Sequence, residues 1–132
     1  MTPTTDNRTV LLLGSNQGDR HALLAQARTL VAERIGPVLA ASTPLTTAPW
    51  GDFGNEQPQP FLNQALLVAT PLDAHEVLRR ALAIETLLGR RRTAVPHYSS
   101  RPIDIAIIFF NHDVISTPDL TVPHPRMHLR RF

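Results

Sequence analysis

Four stretches of this sequence carry residues whose types and spacing could do chemistry. In Gly14-Ser15-Asn16-Gln17-Gly18-Asp19-Arg20, two glycines frame polar residues where the apolar run Thr9–Leu13 gives way to a helical pattern. A strand–glycine–helix junction can cradle an anion on backbone N–H groups. No Gly-Lys-Ser/Thr follows and the spacing is not G-x-G-x-x-G, so neither familiar nucleotide loop is present. The plain structural reading is a turn followed by a helix cap. The second stretch holds Arg90, Arg91, Arg92 and Arg101, in an interval from Thr86 to Ile103 that contains no acidic residue. Charge runs are ordinarily solvated faces. This one starts where a helix ends and leads into the best strand pattern of the chain, a placement suited to clamping polyphosphate oxygens.

The third stretch is Ile103-Asp104-Ile105-Ala106-Ile107-Ile108, where strict alternation puts Asp104, Ala106 and Ile108 on one face. A carboxylate in so apolar a run costs several kcal/mol to bury without a metal, an arginine or other donors. A salt bridge to Arg101 is one account. Magnesium is the other, since Mg²⁺ is commonly held by one or two carboxylates together with substrate phosphates. The fourth is Pro123-His124-Pro125-Arg126, followed by Arg130 and Phe132. A histidine between prolines has a restricted backbone and could hydrogen-bond a ligand, although a loop histidine is the commoner case. The remaining histidines show no zinc-like grouping.

The elements that must position these groups follow from periodicity. Thr9–Leu13 reads as a strand. Asp19 can cap a helix over Leu23, Leu24, Ala27, Leu30, Val31 and Ile35, which Gly36-Pro37 ends. Val38–Thr47 reads as a β segment broken by Pro44, hence at an edge or bulged. Residues 48–60 have the composition of a long loop, and Phe61–Ala69 returns as a strand. Asp73 with Glu76 resembles a capping box opening a helix over Val77, Leu78, Ala81, Leu82, Ile84 and Leu88, closed by Gly89. A second long loop covers 89–102, Ile103–Phe110 is a strand, and Asn111–Val122 a short hairpin. The order β-α-β-β-α-β predicts an α+β, ferredoxin-like sandwich: an antiparallel sheet with both helices on one face.

Composition sets the outer limits. The 132 residues suit one domain, and no cysteine is present for disulfides or thiolate metal sites. All 13 basic residues are arginine, so any anion must be held by guanidinium groups or backbone. The N-terminal MTPTTDNRTV lacks the order of a secretion signal, and no apolar run approaches the ~20 residues that span a bilayer. The expectation is a cytoplasmic protein, monomeric, with no membrane partner.

Taken in order, LLLGSNQGDR, TTAPWG, FLNQAL, IETLLGRRR, SSRPIDIAII and LTVPHPRMHLRRF resemble the successive signatures of the hydroxymethyldihydropterin pyrophosphokinase family, from Leu11 to Phe132. The resemblance implies transfer of the β,γ-diphosphate of ATP to the hydroxymethyl group of 6-hydroxymethyl-7,8-dihydropterin, releasing AMP, in folate biosynthesis. It implies a pterin pocket of Thr47, Ala48, Trp50 and Asn63, with Phe61 and Phe132 beside the ring. On the ATP side it implies Leu78, Glu85, Arg90, Arg92, Ile107, Leu120, Thr121, His124 and Arg130. Arg90 and Arg101 would stabilise charge on the transferring group, and Asp104 would hold Mg²⁺.

Two departures qualify the resemblance. The family pattern is Asp-x-Asp, and here Asp104 is followed by Ala106, with only Asp52 and Asp113 as acids that loops could bring in. The chain also stops at Phe132, where family members usually continue. Activity reduced by Ala106 is therefore expected; a non-catalytic pterin- or nucleotide-binding relative is the alternative. An RNA-binding ferredoxin-like module is a third reading. It needs exposed aromatics on the sheet, for which the strands offer only Phe61, Phe109 and Phe110, so no nucleic-acid partner is expected.

Overall fold

Strand β1, Asn7–Ser15, is the axis of the sheet because its apolar residues have strands on both sides. In the computed structural model, which describes residues 7–47, 60–89 and 102–124, β1 pairs antiparallel with β4 (Phe61–Thr70) and with β5 (Asp104–Phe110). Strands β2 (Val38–Ala41) and β3 (Leu45–Thr47) both pair with β4, giving the order β2-β4-β1-β5 with β3 beside β4. They are the two halves of the single segment expected over 38–47, separated at Ser42-Thr43-Pro44. Proline cannot donate to a ladder, so the break falls on the sheet's edge. A small second sheet pairs β6 (Ile115–Ser116) with β7 (Thr121–Val122), the predicted terminal hairpin.

Helix α1, Arg20–Arg34, starts where Asp19 accepts a hydrogen bond from the Ala22 N–H at 3.1 Å, and α2, Ala74–Leu87, starts where Asp73 accepts from the Glu76 N–H at 2.8 Å. Both caps satisfy amides that a helix cannot pair internally. The capping box at Asp73 is half formed, because the Glu76 carboxylate turns to Arg79 and Arg80. Arg80 also donates to the Arg34 carbonyl at 2.6 Å and so ties α2 to the end of α1. Gly89, at φ +103, closes α2 in the left-handed region that favours glycine.

Alternation divides the sheet cleanly. Leu11, Leu13, Leu62, Leu66, Val68, Ile105 and Ile107 face the helices and meet Leu24, Ala27, Val31, Val77, Ala81 and Ile84 in one core. The structure is thus the expected two-layer, ferredoxin-like α+β fold. One irregularity interrupts β5: Leu11 pairs with Ile107 but Val10 with Phe109, so Ile108 is an extra, bulged residue. Its carbonyl accepts the His124 N–H at 3.1 Å. The expected shared face therefore holds for Asp104 and Ala106 and ends before Ile108.

Two outcomes follow. A Cβ at Gly36 would stand 1.9 Å from the Ala69 carbonyl oxygen, a backbone atom that cannot step aside. Gly36→Ala should cost at least about 3 kcal/mol in urea unfolding. Hydrogen bonds from Arg79 and then Arg80 hold the Glu76 carboxyl at about 2, below its ordinary 4.5. A depressed carboxyl pKa contributes stability above the unfolded value and loses it as pH falls toward the folded one. Glu76→Gln should accordingly be less stable than the parent at pH 7, the gap closing as pH drops from about 4.5 to about 2 in parallel melts.

Candidate active site

The chemistry-bearing residues gather around the C-terminal end of β1. Gly14 lies opposite Asn63 of β4 on one side and Asp104 of β5 on the other, and Asn63 in turn lies opposite Leu45 of β3. Their neighbours Leu13, Leu62 and Ile105 point into the core, so these four form a row on the helix-free face. Two strand spacings put about 10 Å between the backbones of Asn63 and Asp104.

Gly14 lets its neighbours close over that row. A Cβ there would lie 3.1 Å from Asn63 Oδ1 and 3.5 Å from Phe61 Cδ1, so the carboxamide oxygen and the phenyl ring both lean over the glycine. Asn63 is buried, and its Nδ2 donates to Thr47 Oγ1 at 2.7 Å and to the Leu45 carbonyl at 3.4 Å. Those bonds commit the NH₂ group to β3 and turn the oxygen toward Gly14. Thr47, Phe61 and Asn63, expected together from the resemblance, are brought together; Ala48, Trp50 and Phe132 lie outside the described residues.

On the other side of Gly14, β5 meets α2 and the β6–β7 hairpin. Asp104 is half-buried, and Ala106 follows on the same face opposite Leu12. Glu85 is 2% exposed, and its Oε2 accepts the Ile105 N–H at 2.7 Å. It thereby occupies the side of β5 away from β1, between Asp104 and Ala106. Periodicity did not flag this burial, since a glutamate beside an apolar stripe ordinarily reads as solvent-facing. Ile107 and Leu120 belong to the core and Leu78 packs against it, so these three support the site from beneath; Thr121 is exposed and His124 half-buried. Arg90, Arg92, Arg101 and Arg130 lie outside the described residues. Their chain neighbours Gly89 and Pro102 stand side by side, a Cβ on Gly89 falling 3.9 Å from Pro102 Cγ.

The Gly14–Arg20 stretch follows the plain reading of strand end and cap. Ser15 and Asn16 are buried, and the Asp19 carboxylate already sits on the N-terminal amides of α1 where an anion would go. Asp113 does not stand in for the second carboxylate. It lies beyond the far end of β5, about 20 Å of strand away from Asp104. Asp52 lies outside the described residues. Among the described residues, no group of three or more histidine, cysteine, aspartate or glutamate side chains could hold a metal. One carboxylate on an open sheet face, with no second acid at 106, suits an ion that arrives with phosphate oxygens as its other ligands. No helix among the described residues is long and apolar enough to cross a membrane.

A ferredoxin-like sheet whose helix-free face sets a carboxamide and a carboxylate on either side of a glycine describes a small α+β domain with two chemically distinct flanks. A family profile described as 7,8-dihydro-6-hydroxymethylpterin-pyrophosphokinase (HPPK) matches residues 10–132, and the chain belongs to that family. It is 40% identical over 124 residues to the 2-amino-4-hydroxy-6-hydroxymethyldihydropteridine pyrophosphokinase of Porphyromonas gingivalis, covering 92% of this chain and 82% of the relative. Identity to the Bacillus subtilis enzyme of the same name is 38% over 128 residues, 96% of this chain and 74% of that one. The mitochondrial folate synthesis bifunctional protein of Pisum sativum is 36% identical over 129 residues, covering 98% of this chain and 24% of that protein. Among solved structures, Plasmodium falciparum HPPK-DHPS superposes with a TM-score of 0.69 at 18% identity, over 94% of this chain and 38% of that one, a likeness of fold.

Gly14→Ala probes the row directly. The added methyl should leave the protein folded, at a cost of about 1–2 kcal/mol in urea unfolding. On the pterin-side set that the resemblance implies, displacing the Asn63 oxygen should weaken binding of a hydroxymethyl pterin about tenfold in a fluorescence titration, equivalent to roughly one good hydrogen bond.

Proposed function

We propose that this chain joins the diphosphate of ATP to the hydroxymethyl oxygen of 6-hydroxymethyl-7,8-dihydropterin across the Gly14 row, at a rate held down by Ala106. Membership of the family makes the chain an ATP-dependent pyrophosphokinase of folate biosynthesis. The observation that carries the finer reading is the register at Gly14, with Asn63 and Asp104 at one level on one face. On that reading Asn63 grips the edge of the pterin, while Thr47 holds its amide in place. Phe61 and Phe132 flank the ring, and Ala48 and Trp50 belong to the same pocket. ATP lies toward β5, α2 and the hairpin, with Arg90, Arg92, Thr121, His124 and Arg130 around it and Leu78, Ile107 and Leu120 behind. Glu85 shares that side through its hold on β5.

The reaction moves one bond. The hydroxymethyl oxygen gives up its proton to solvent and attacks the β-phosphorus, the bond from that phosphorus to the oxygen bridging it to the α-phosphorus breaks, and AMP leaves with the electron pair. Catalysis of such a transfer is chiefly positioning and charge stabilisation. Arg90 and Arg101 supply stabilisation on this reading, as guanidinium donors. Asp104 would hold Mg²⁺, which when bound would neutralise phosphate charge and lower the pKa of the hydroxyl. A methyl at Ala106 cannot ligate, and loss of about 3 kcal/mol of transition-state stabilisation lowers a rate by about a hundredfold.

Ala106 also favours a second reading, a relative that binds pterin or nucleotide without turnover. AMP formation from ATP and the hydroxymethyl pterin in excess magnesium separates the two. Slow AMP release, raised at least about tenfold in Ala106→Asp, is expected of the enzyme. Pterin binding with no AMP from either protein would leave the non-catalytic reading. An equal rate from both would show that residue 106 does not face the metal.

A further inference from the structure

Arg20 is the first residue of α1, a position where a cation opposes the positive end of the helix dipole, and the first turn of α1 holds no acidic residue. Helix stability therefore gives no reason for an arginine there. Its guanidinium instead crosses to β4: Nη1 donates to the Pro60 carbonyl at 2.8 Å, forty positions along the chain. A charge-assisted bond to a carbonyl is among the stronger single hydrogen bonds available at a surface. The carbonyl it takes belongs to the peptide plane that also contains the N and Cα of Phe61, so holding that oxygen fixes where Phe61 begins. Phe61 pairs with Thr47, its ring lies over Gly14, and Asn63 stands two residues further along the strand.

We infer that Arg20 is a positioning residue for the heterocycle side of the reaction, setting the Phe61 ring through the Pro60–Phe61 peptide while contacting no substrate itself. The inference rests on the reading that the Phe61–Asn63 side receives the pterin, and it adds a residue that neither periodicity nor the pterin-side set above had marked. The bond uses a single N–H, so a lysine can replace it in part and an alanine cannot.

The experiment compares the parent with Arg20→Ala, Arg20→Gln and Arg20→Lys, measuring Kd for the hydroxymethyl pterin, KM for pterin and for ATP, kcat, and urea unfolding. Loss of one charge-assisted bond should raise pterin Kd and KM about five- to tenfold in Arg20→Ala, with ATP KM and kcat within about twofold. Arg20→Lys should recover most of that loss and Arg20→Gln less. Unchanged pterin affinity in Arg20→Ala would overturn the inference. So would pterin and ATP constants that worsen together, or a lowered stability with pterin constants unmoved, since each describes a merely structural contact. A parent protein that neither binds pterin nor forms AMP would instead remove the underlying reading, a failure visible before any variant is compared. If Arg20→Ala does not fold, the Lys and Gln variants carry the same comparison of pterin against ATP constants.

Discussion

Everything at the functional end of this molecule depends on a side chain that is not there. Gly14 sits in the central strand with a partner on each side, and its missing Cβ leaves the space into which the Asn63 oxygen and the Phe61 ring lean. A β-sheet normally carries a side chain at every position of a face, and a glycine within a strand marks a close approach of its neighbours. The glycine also separates two chemistries. An uncharged carboxamide, tied back to Thr47, stands on one flank and a carboxylate on the other. On the proposed reading, the first flank meets the heterocycle and the second the charged chain of phosphates.

The hydrophobic layer beneath keeps this row level. Leu13, Leu62 and Ile105, the inward neighbours of the row, all lie in the core against α1 and α2. A one-residue slip of any of these strands would reverse its faces, sending leucine to water and asparagine or aspartate to the helices. Burial of the inner face thus specifies the outer one. Glu85 adds a tie on the side away from β1, where a carboxylate from α2 takes the backbone N–H between the two outward positions of β5.

Much of this was legible in the sequence, for local reasons. Asp19 and Asp73 mark helix starts because a short carboxylate fits free amides, Gly36-Pro37 and Gly89 mark the ends, and Pro44 marks a broken edge strand. The face shared by Asp104 and Ala106 followed from alternation alone. What stayed hidden depends on contacts between distant segments. The Asn63–Thr47 bond exists only once β3 is registered on β4, and the reach of Arg20 to Pro60 only once α1 lies beside that strand. The burial of Glu85 needs the edge of β5 to be placed first. Glu76 shows the converse, a local signal that tertiary neighbours redirected toward Arg79 and Arg80.

The bulge at Ile108 has a geometric consequence for the carboxylate at the opposite end of its strand. Phe110 is fastened among the core side chains, and counting back from it by twos through an unbroken ladder would aim residues 108, 106 and 104 at the helices. The one surplus residue shifts the phase by half a pleat, so that Ile107 and Ile105 take the inward places and Asp104 emerges on the open side. The orientation of Asp104 is therefore set four residues away, by a kink whose loose carbonyl is pinned by His124. Any shortening of the strand at that point would swing the acid into the hydrocarbon interior while leaving its sequence motif intact.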